Sequence, residues 1–311
     1  MIITVTLNPA VDQTMFVERL SVGDVIRAQQ TQLDPAGKGI NASRVAHRLG
    51  WPTIAFGFLG GETGLIAERA LDAEGVQHHF VRLPGQTRIN VTVVEEAAAR
   101  ATSMYGPGPE VTADHLNALG ELLRFWLQAG RVLLLAGSLP PGVPTDTYAQ
   151  LIREARAHNV ITILDASDNA LRRGIAAKPD VIKPNASEAE ELLGRRLPDR
   201  AAMVGAAHEL AAGGVGIVVI SMGARGSVCV RGNQVWHVRA PTVERRSTVG
   251  SGDSFVAGLA IALARGDSVE AGLRLGTAAG AATAASAGTA LGQADMVAAL
   301  LPQVRIEEIT V

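Results

Sequence analysis

Apolar residues along this chain fall into two alternating rhythms. Short, nearly continuous β-branched runs occur at 2–7, 53–58, 132–136, 160–164, 181–183 and 217–221. Between them, apolar positions recur with helical spacing at 40–49, 65–74, 113–128, 145–158, 186–193 and 201–212. Strands without a polar face must be covered on both sides, and amphipathic helices supply that cover. The pattern predicts an α/β fold, a mostly parallel central sheet with helices on both faces. After Ser221 it changes to hairpin-like strands at 226–231 and 234–239, then to helices from Gly252 to about Leu301.

Two stretches break the rhythm. Side chains around 11–33 and 87–105 alternate in polarity, as in Asn90-Val-Thr-Val-Val-Glu95, which is the period of a half-exposed strand. We read them as antiparallel strands of a small lid, about 12–34 and 87–106, closing over one site. No repeat or linker divides the chain, so one domain over 1–311 is expected. Such a lid leaves an apolar face, and a homodimer packed lid to lid is expected.

Composition narrows the chemistry. A net charge of −2 and 4% aromatics argue against a polyanion-binding surface or base-stacking platform, so no nucleic-acid partner is expected. Cys229 lies between valines and reads as a buried, inert thiol. The chain opens directly on a strand and has no membrane-length apolar run, which predicts a cytoplasmic protein without a membrane partner. The seven histidines lack metal-ligand spacing, and His78-His79 reads as part of a strand. Neither Gly57-Phe-Leu-Gly-Gly-Glu-Thr-Gly64 nor Gly213-Gly-Val-Gly216 forms a dinucleotide fingerprint. Gly37-Lys38-Gly39 lacks the spacing of a Walker A loop.

The most informative segment is Ser247-Thr248-Val249-Gly250-Ser251-Gly252-Asp253-Ser254, where a β-type stretch meets a helical pattern. Glycines at such a turn admit a ligand to the backbone, and the first free amides of a helix bind anions. Gly250, Ser251 and Gly252 would present amides to a phosphate. Asp253 would accept the proton of an attacking hydroxyl, and a helix N-terminus would keep it ionised and weakly basic. The plain alternative is a glycine turn capped by Ser251 or Asp253.

Further motifs decide for phosphoryl transfer. They are Pro35-Ala-Gly37-Lys38-Gly39-Ile-Asn41, Thr87-Arg88-Ile89-Asn90, Gly137-Ser138-Leu-Pro140, Lys183-Pro184-Asn185-Ala-Ser-Glu188 and Ser221-Met-Gly223-Ala-Arg-Gly226. In this order the chain resembles the phosphofructokinase B family of sugar kinases, of ribokinase-like fold, over essentially its whole length. Ala36 and Ser251 stand where the wider family more often has glycine and alanine; both are small.

The resemblance implies an ATP- and Mg²⁺-dependent ketohexose-phosphate kinase, with a monovalent cation as a further candidate. Fructose 1-phosphate is the favoured acceptor. Tagatose 6-phosphate, fructose 6-phosphate, an unphosphorylated sugar and a catalytically silent ligand-binding protein remain open. Asp12 and Asn41 would bind sugar hydroxyls, with Gly37, Asn90 and Ser138 in the same pocket. Lys38, Arg88 and Arg27 would meet the sugar phosphate. Lys183, Asn185, Ser221, Gly223, Gly226, Thr248 and Gly280 would hold the nucleotide, Gly280 by making room for adenine between helices. Asn185 and Glu188, three residues apart, would hold Mg²⁺ through water, though Asn-x-x-Glu is also a common helix start.

Overall fold

The computed structural model describes residues 1–95, 98, 100–247 and 249–309. The chain begins β1 (Ile2–Thr6), β2 (Ala10–Val17), β3 (Gln30–Ala36), α1 (Lys38–Arg48), β4 (Thr53–Gly60), α2 (Gly61–Glu74), β5 (Gln77–Leu83), β6 (Arg88–Glu95) and β7 (Arg100–Met104). It continues with α3 (Ala113–Arg124), β8 (Val132–Ala136), α4 (Thr147–Ala157), β9 (Ile161–Asp165), α5 (Asp168–Ile175), β10 (Val181–Ile182), α6 (Ala186–Leu193) and α7 (Arg200–Ala212). The last part holds β11 (Ile217–Ser221), β12 (Ser227–Arg231), β13 (Gln234–Arg239), α8 (Ser251–Arg265), α9 (Val269–Ala284), α10 (Ala294–Leu300) and β14 (Arg305–Glu308).

The large sheet has the order β14-β13-β12-β11-β10-β9-β8-β1-β4-β5, parallel from β11 to β5 and antiparallel beyond. Alternate residues of each strand feed two cores. Val218, Ile220, Val228 and Val235 face α3–α7, while Ile217, Val219, Cys229 and Trp236 face α1, α8 and α9. The buried Cys229 has its thiol pKa pushed up by burial, so the thiol stays protonated. β1 lies where the strand order reverses, with β4 on one side and β8 on the other. In open parallel sheets ligands bind at the carboxyl ends of the strands at such a point. Asn8, Ser138 and Asp165 lie at those ends.

Helices α8 and α9 touch backbone to backbone: a Cβ at Gly258 would come within 2.6 Å of the Gly276 nitrogen. Their alanines and glycines therefore pack a tight pair behind the site. No helix among the described residues is long and apolar enough to cross a membrane.

The second sheet, ordered β3-β2-β6-β7, contains the expected antiparallel pairs, β2 with β3 and β6 with β7, and joins them by a junction of the opposite sense. β2 and β6 run parallel, with Ala10 opposite Arg88 and Val17 opposite Glu95, because β4, α2 and β5 intervene between them. Register then gives the sheet two different faces. Asp12 pairs with Asp34 and with Asn90, which sets these three polar residues on one face. The next row, Leu33, Gln13, Val91 and Met104, points to the other side. Two elements escape the periodicity reading: α5, a short helix containing Gly174, and β14, four residues of largely charged sequence.

Candidate active site

Helix α8 opens at Gly250, whose φ of 76° lies in the left-handed region that glycine adopts without strain. No side chain caps this helix among the described residues, so its first amides are left for an anion rather than for Ser251 or Asp253. Lys183 adds a full charge there: a Cβ on Gly252 would sit 3.4 Å from its ammonium nitrogen. Thr248 lies outside the described residues.

Asp253, in the first turn, is only 8% exposed. The Asn41 amide donates to its Oδ2 at 2.8 Å, so Asn41 orients this carboxylate from the start of α1. Burial, then the neighbouring Asp165, raises the Asp253 pKa to about 6 against the pull of Lys38, Asn41 and Lys183. The expectation of a weakly basic carboxylate is thereby corrected. A helix terminus acts at its rim, whereas Asp253 is enclosed, and desolvation dominates. The result is a base whose strength suits neutral pH.

Asp165 was not among the residues singled out from sequence. It ends β9, 2% exposed, with Lys38 Nζ 3.0 Å from Oδ1 and Lys183 Nζ 3.4 Å from Oδ2. Burial pushes its pKa up, but the two lysines pull it below the ordinary carboxylate value. Lys38 is shifted in the complementary sense: burial disfavours its charge, and Asp165, Glu188 and Asp253 more than restore it. A lone carboxylate closing an apolar buried run, at the strand end where ligands bind, was the available signal.

Asn185 and Glu188 form the helix start that their spacing also allowed. Asn185 Oδ1 accepts from the Glu188 amide at 2.9 Å, and Glu188 Oε2 accepts from the Asn185 amide at 2.8 Å. The other carboxylate oxygen, Oε1, stands 3.9 Å from Lys38 Nζ. Among the described residues no cluster of three metal-ligating side chains occurs. This donor set would suit a magnesium ion that keeps its waters, and Glu188 and Asn185 would be the residues to hold it through them.

On the acceptor side, Asn90 Nδ2 donates to Asp12 Oδ1 at 2.8 Å, leaving Oδ2 for a ligand hydroxyl. Burial raises the Asp12 pKa. Gly37 and Gly39 seat α1 against Thr6, where side chains would collide, and Thr6 Oγ1 accepts the Ile40 amide at 3.0 Å. Arg88 donates to the carbonyls of Asn8 and Gly106, both at 2.9 Å, and of Pro9 at 3.4 Å. A guanidinium has five donors, so two remain. Arg88 borders a cavity of about 500 Å³ that Asn8, Ser138, Gly106, Pro140 and Thr145 also line. Ser138 is tied to the charge cluster through its neighbour, since the Gly137 amide donates to the Asp165 carbonyl at 3.0 Å.

Not every expected residue joins. Lys38 is engaged by Asp165 and is not in the Arg88 cavity, and Arg27 is exposed between β2 and β3. Ser221 and Gly223 begin a turn that returns at Gly226, where a Cβ would collide with the Val238 carbonyl. At Gly280 a Cβ would come within 2.9 Å of the Ser251 carbonyl. That space is filled by the first turn of α8, so Gly280 serves helix packing.

A buried base at an uncapped helix terminus, beside a lysine-neutralised carboxylate, is an arrangement for moving an anionic group onto a hydroxyl. The comparisons agree. Residues 5–295 match the model of the pfkB family of carbohydrate kinases. The 1-phosphofructokinase of Xanthomonas campestris pv. campestris is 40% identical over 84% of this chain and 83% of its own. That of Vibrio cholerae is 37% identical over 98% and 96%. The crystal structure of phosphofructokinase-2 from Escherichia coli with substrates and products superposes with a TM-score of 0.93. It is 32% identical and covers 97% of this chain and 98% of its own. The chain belongs to the pfkB family of carbohydrate kinases, and it is a phosphotransferase with an alcohol group as acceptor.

Asp253→Asn is expected to lower turnover by roughly 10²–10⁴, the range for a positioned general base. It should also raise the melting temperature at pH 8. An acid whose pKa is raised by folding withdraws stability as pH climbs from about 4 through about 6, and the amide does not titrate. The gap from the parent should vanish near pH 4. Turnover within tenfold of the parent would remove Asp253 from this role.

Proposed function

We propose that the protein transfers the γ-phosphoryl group of ATP to fructose 1-phosphate, giving fructose 1,6-bisphosphate and ADP. The observation that carries the reading is Asp253: buried, aimed by Asn41 and held near neutral pKa beside free helix amides. The names of the relatives support the acceptor. The Arg88–Ser138 cavity supports a phosphorylated sugar over a neutral one, because spare guanidinium donors in a half-buried pocket suit a dianion.

In this reading Asp12, Asn90 and Asn41 hold the sugar hydroxyls, and Arg88 and Ser138 receive its phosphate. Asp253 orients the 6-hydroxyl and takes its proton as the oxygen bonds to the γ-phosphorus. The bond from that phosphorus to the bridging oxygen of ADP breaks. Amides of Gly250 to Gly252, with Lys183, face the charge on the moving group, and Lys38 stands between Asp165 and Glu188 to balance it. Bound magnesium would neutralise charge on the β- and γ-phosphates. Ser221, Gly223 and Gly226 would cradle the nucleoside.

Activity should be measured with fructose 1-phosphate, tagatose 6-phosphate, fructose 6-phosphate and fructose, for the parent and Arg88→Ala. The parent should prefer fructose 1-phosphate. The variant should lose about tenfold or more in kcat/KM on it, the effect of one charge-assisted hydrogen bond, and far less on fructose. Equal losses on both sugars would assign Arg88 to holding its three carbonyls and refute the phosphate pocket.

The assembly follows from the small sheet. Its outer face exposes Leu33, Ile89 and Met104, apolar surface that a second copy would cover. The protein is expected to sediment as a dimer, and Met104→Asp as a monomer. A fully active monomeric parent at micromolar concentration would contradict this.

A further inference from the structure

A second cavity, of about 510 Å³, is lined by Arg200, Met222, Ala224, Arg225, His237 and Arg239. His237 pairs with Val228, and both Val228 and Met222 belong to the core under α7. The cavity therefore lies across the main sheet from α8 and α9. Arg200 begins α7, Arg225 stands in the turn after β11, and Arg239 ends β13.

Glu307 of β14 reaches toward these cations without satisfying them. Its Oε2 is 3.9 Å from Arg200 Nη1, 3.8 Å from Arg239 Nη2 and 3.9 Å from His237 Nδ1. All three exceed hydrogen-bond length, so the two guanidiniums face one oxygen position that the carboxylate fills loosely. Arg200 also donates to His237 Nδ1 at 3.3 Å. A guanidinium only donates, so that ring nitrogen carries no proton. Burial, then Arg200 and Arg239, depress the His237 pKa and keep the ring neutral at pH 7. Three arginines less one glutamate leave the cavity with two positive charges.

We propose that this cavity is a regulatory site for a small molecule bearing a phosphomonoester, whose dianion displaces Glu307 and is shared by Arg200, Arg225 and Arg239. Two charges match two charges, and arginine forks suit phosphate oxygens. The reach to the transfer site is short. Arg225 lies inside the turn from Ser221 to Gly226, and Gly226 is locked against the Val238 carbonyl, so the turn and β13 move together. An anion drawing Arg225 and Arg239 inward shifts the turn and with it the affinity for ATP. This second effect rests on the reading of that turn as the nucleotide cradle; binding in the cavity does not.

The test uses glycerol 3-phosphate as probe. It is titrated calorimetrically into parent enzyme saturated with MgADP and fructose 1-phosphate, and into Arg200→Ala/Arg239→Ala and Glu307→Gln. The parent should bind one equivalent, the double variant about tenfold more weakly or worse, and Glu307→Gln more tightly, a gain that a misfolded variant cannot give. At saturating fructose 1-phosphate the probe should change the KM for ATP at least twofold in the parent and leave the double variant unaffected. No binding to an active parent, or equal binding to all three proteins, would overturn the site. Binding without a change in KM would overturn its regulatory role. The turnover of fructose 1-phosphate by the same preparation separates the two proposals, because an inactive parent refutes the acceptor while the titration still judges the cavity.

Discussion

The site is organised by four charged groups drawn together, three of them buried and Lys38 half-buried. Lys38 and Lys183 share the two oxygens of Asp165, and Asp253 stands beside them with only the Asn41 amide as a direct partner. Removing Asp165 or Lys183 leaves an uncompensated buried charge, which is far more destabilising than losing a surface pair. The cluster therefore fixes the relative positions of α1, the end of β9, the segment after β10 and the start of α8. These are the elements that carry Asn41, Asp165, Lys183 and Asp253. Two lysines balance two carboxylates, and the strain of that arrangement falls on Asp253, which makes it a usable base.

Around this centre the two sheets divide the labour. The main sheet brings strand ends together at the point where its order reverses, and the small sheet carries Asp12 and Asn90 across from them. A one-residue slip in its register would turn Asp12 outward and Leu33 inward. The same alternation that turns the Asp12 carboxylate toward one face thus produces the apolar outer face.

Much of this could be read from the chain. Near-continuous apolar strands alternating with amphipathic helices implied the parallel sheet, and Gly250-Ser-Gly-Asp253 implied a glycine turn opening a helix, because both are local properties. What escaped was non-local. The parallel pairing of β2 with β6 depends on what the intervening β4, α2 and β5 do. The role of Asp165 depends on lysines 127 and 18 residues away meeting at one carboxylate. The strength of Asp253 is set by enclosure, which no motif reports, and Arg88 could not be known to hold three carbonyls before the lid was folded. Asn185 and Glu188 show the converse: a spacing read for metal closes a capping box first.

The central claim is that burial, rather than the helix terminus, sets the proton affinity of Asp253. Carboxyl ¹³C NMR of aspartate-labelled protein, assigned by the resonance missing in Asp253→Asn, measures it directly. A titration midpoint near 6 is expected in the ligand-free enzyme. A midpoint at or below about 4, the value of an unperturbed aspartate, would contradict it.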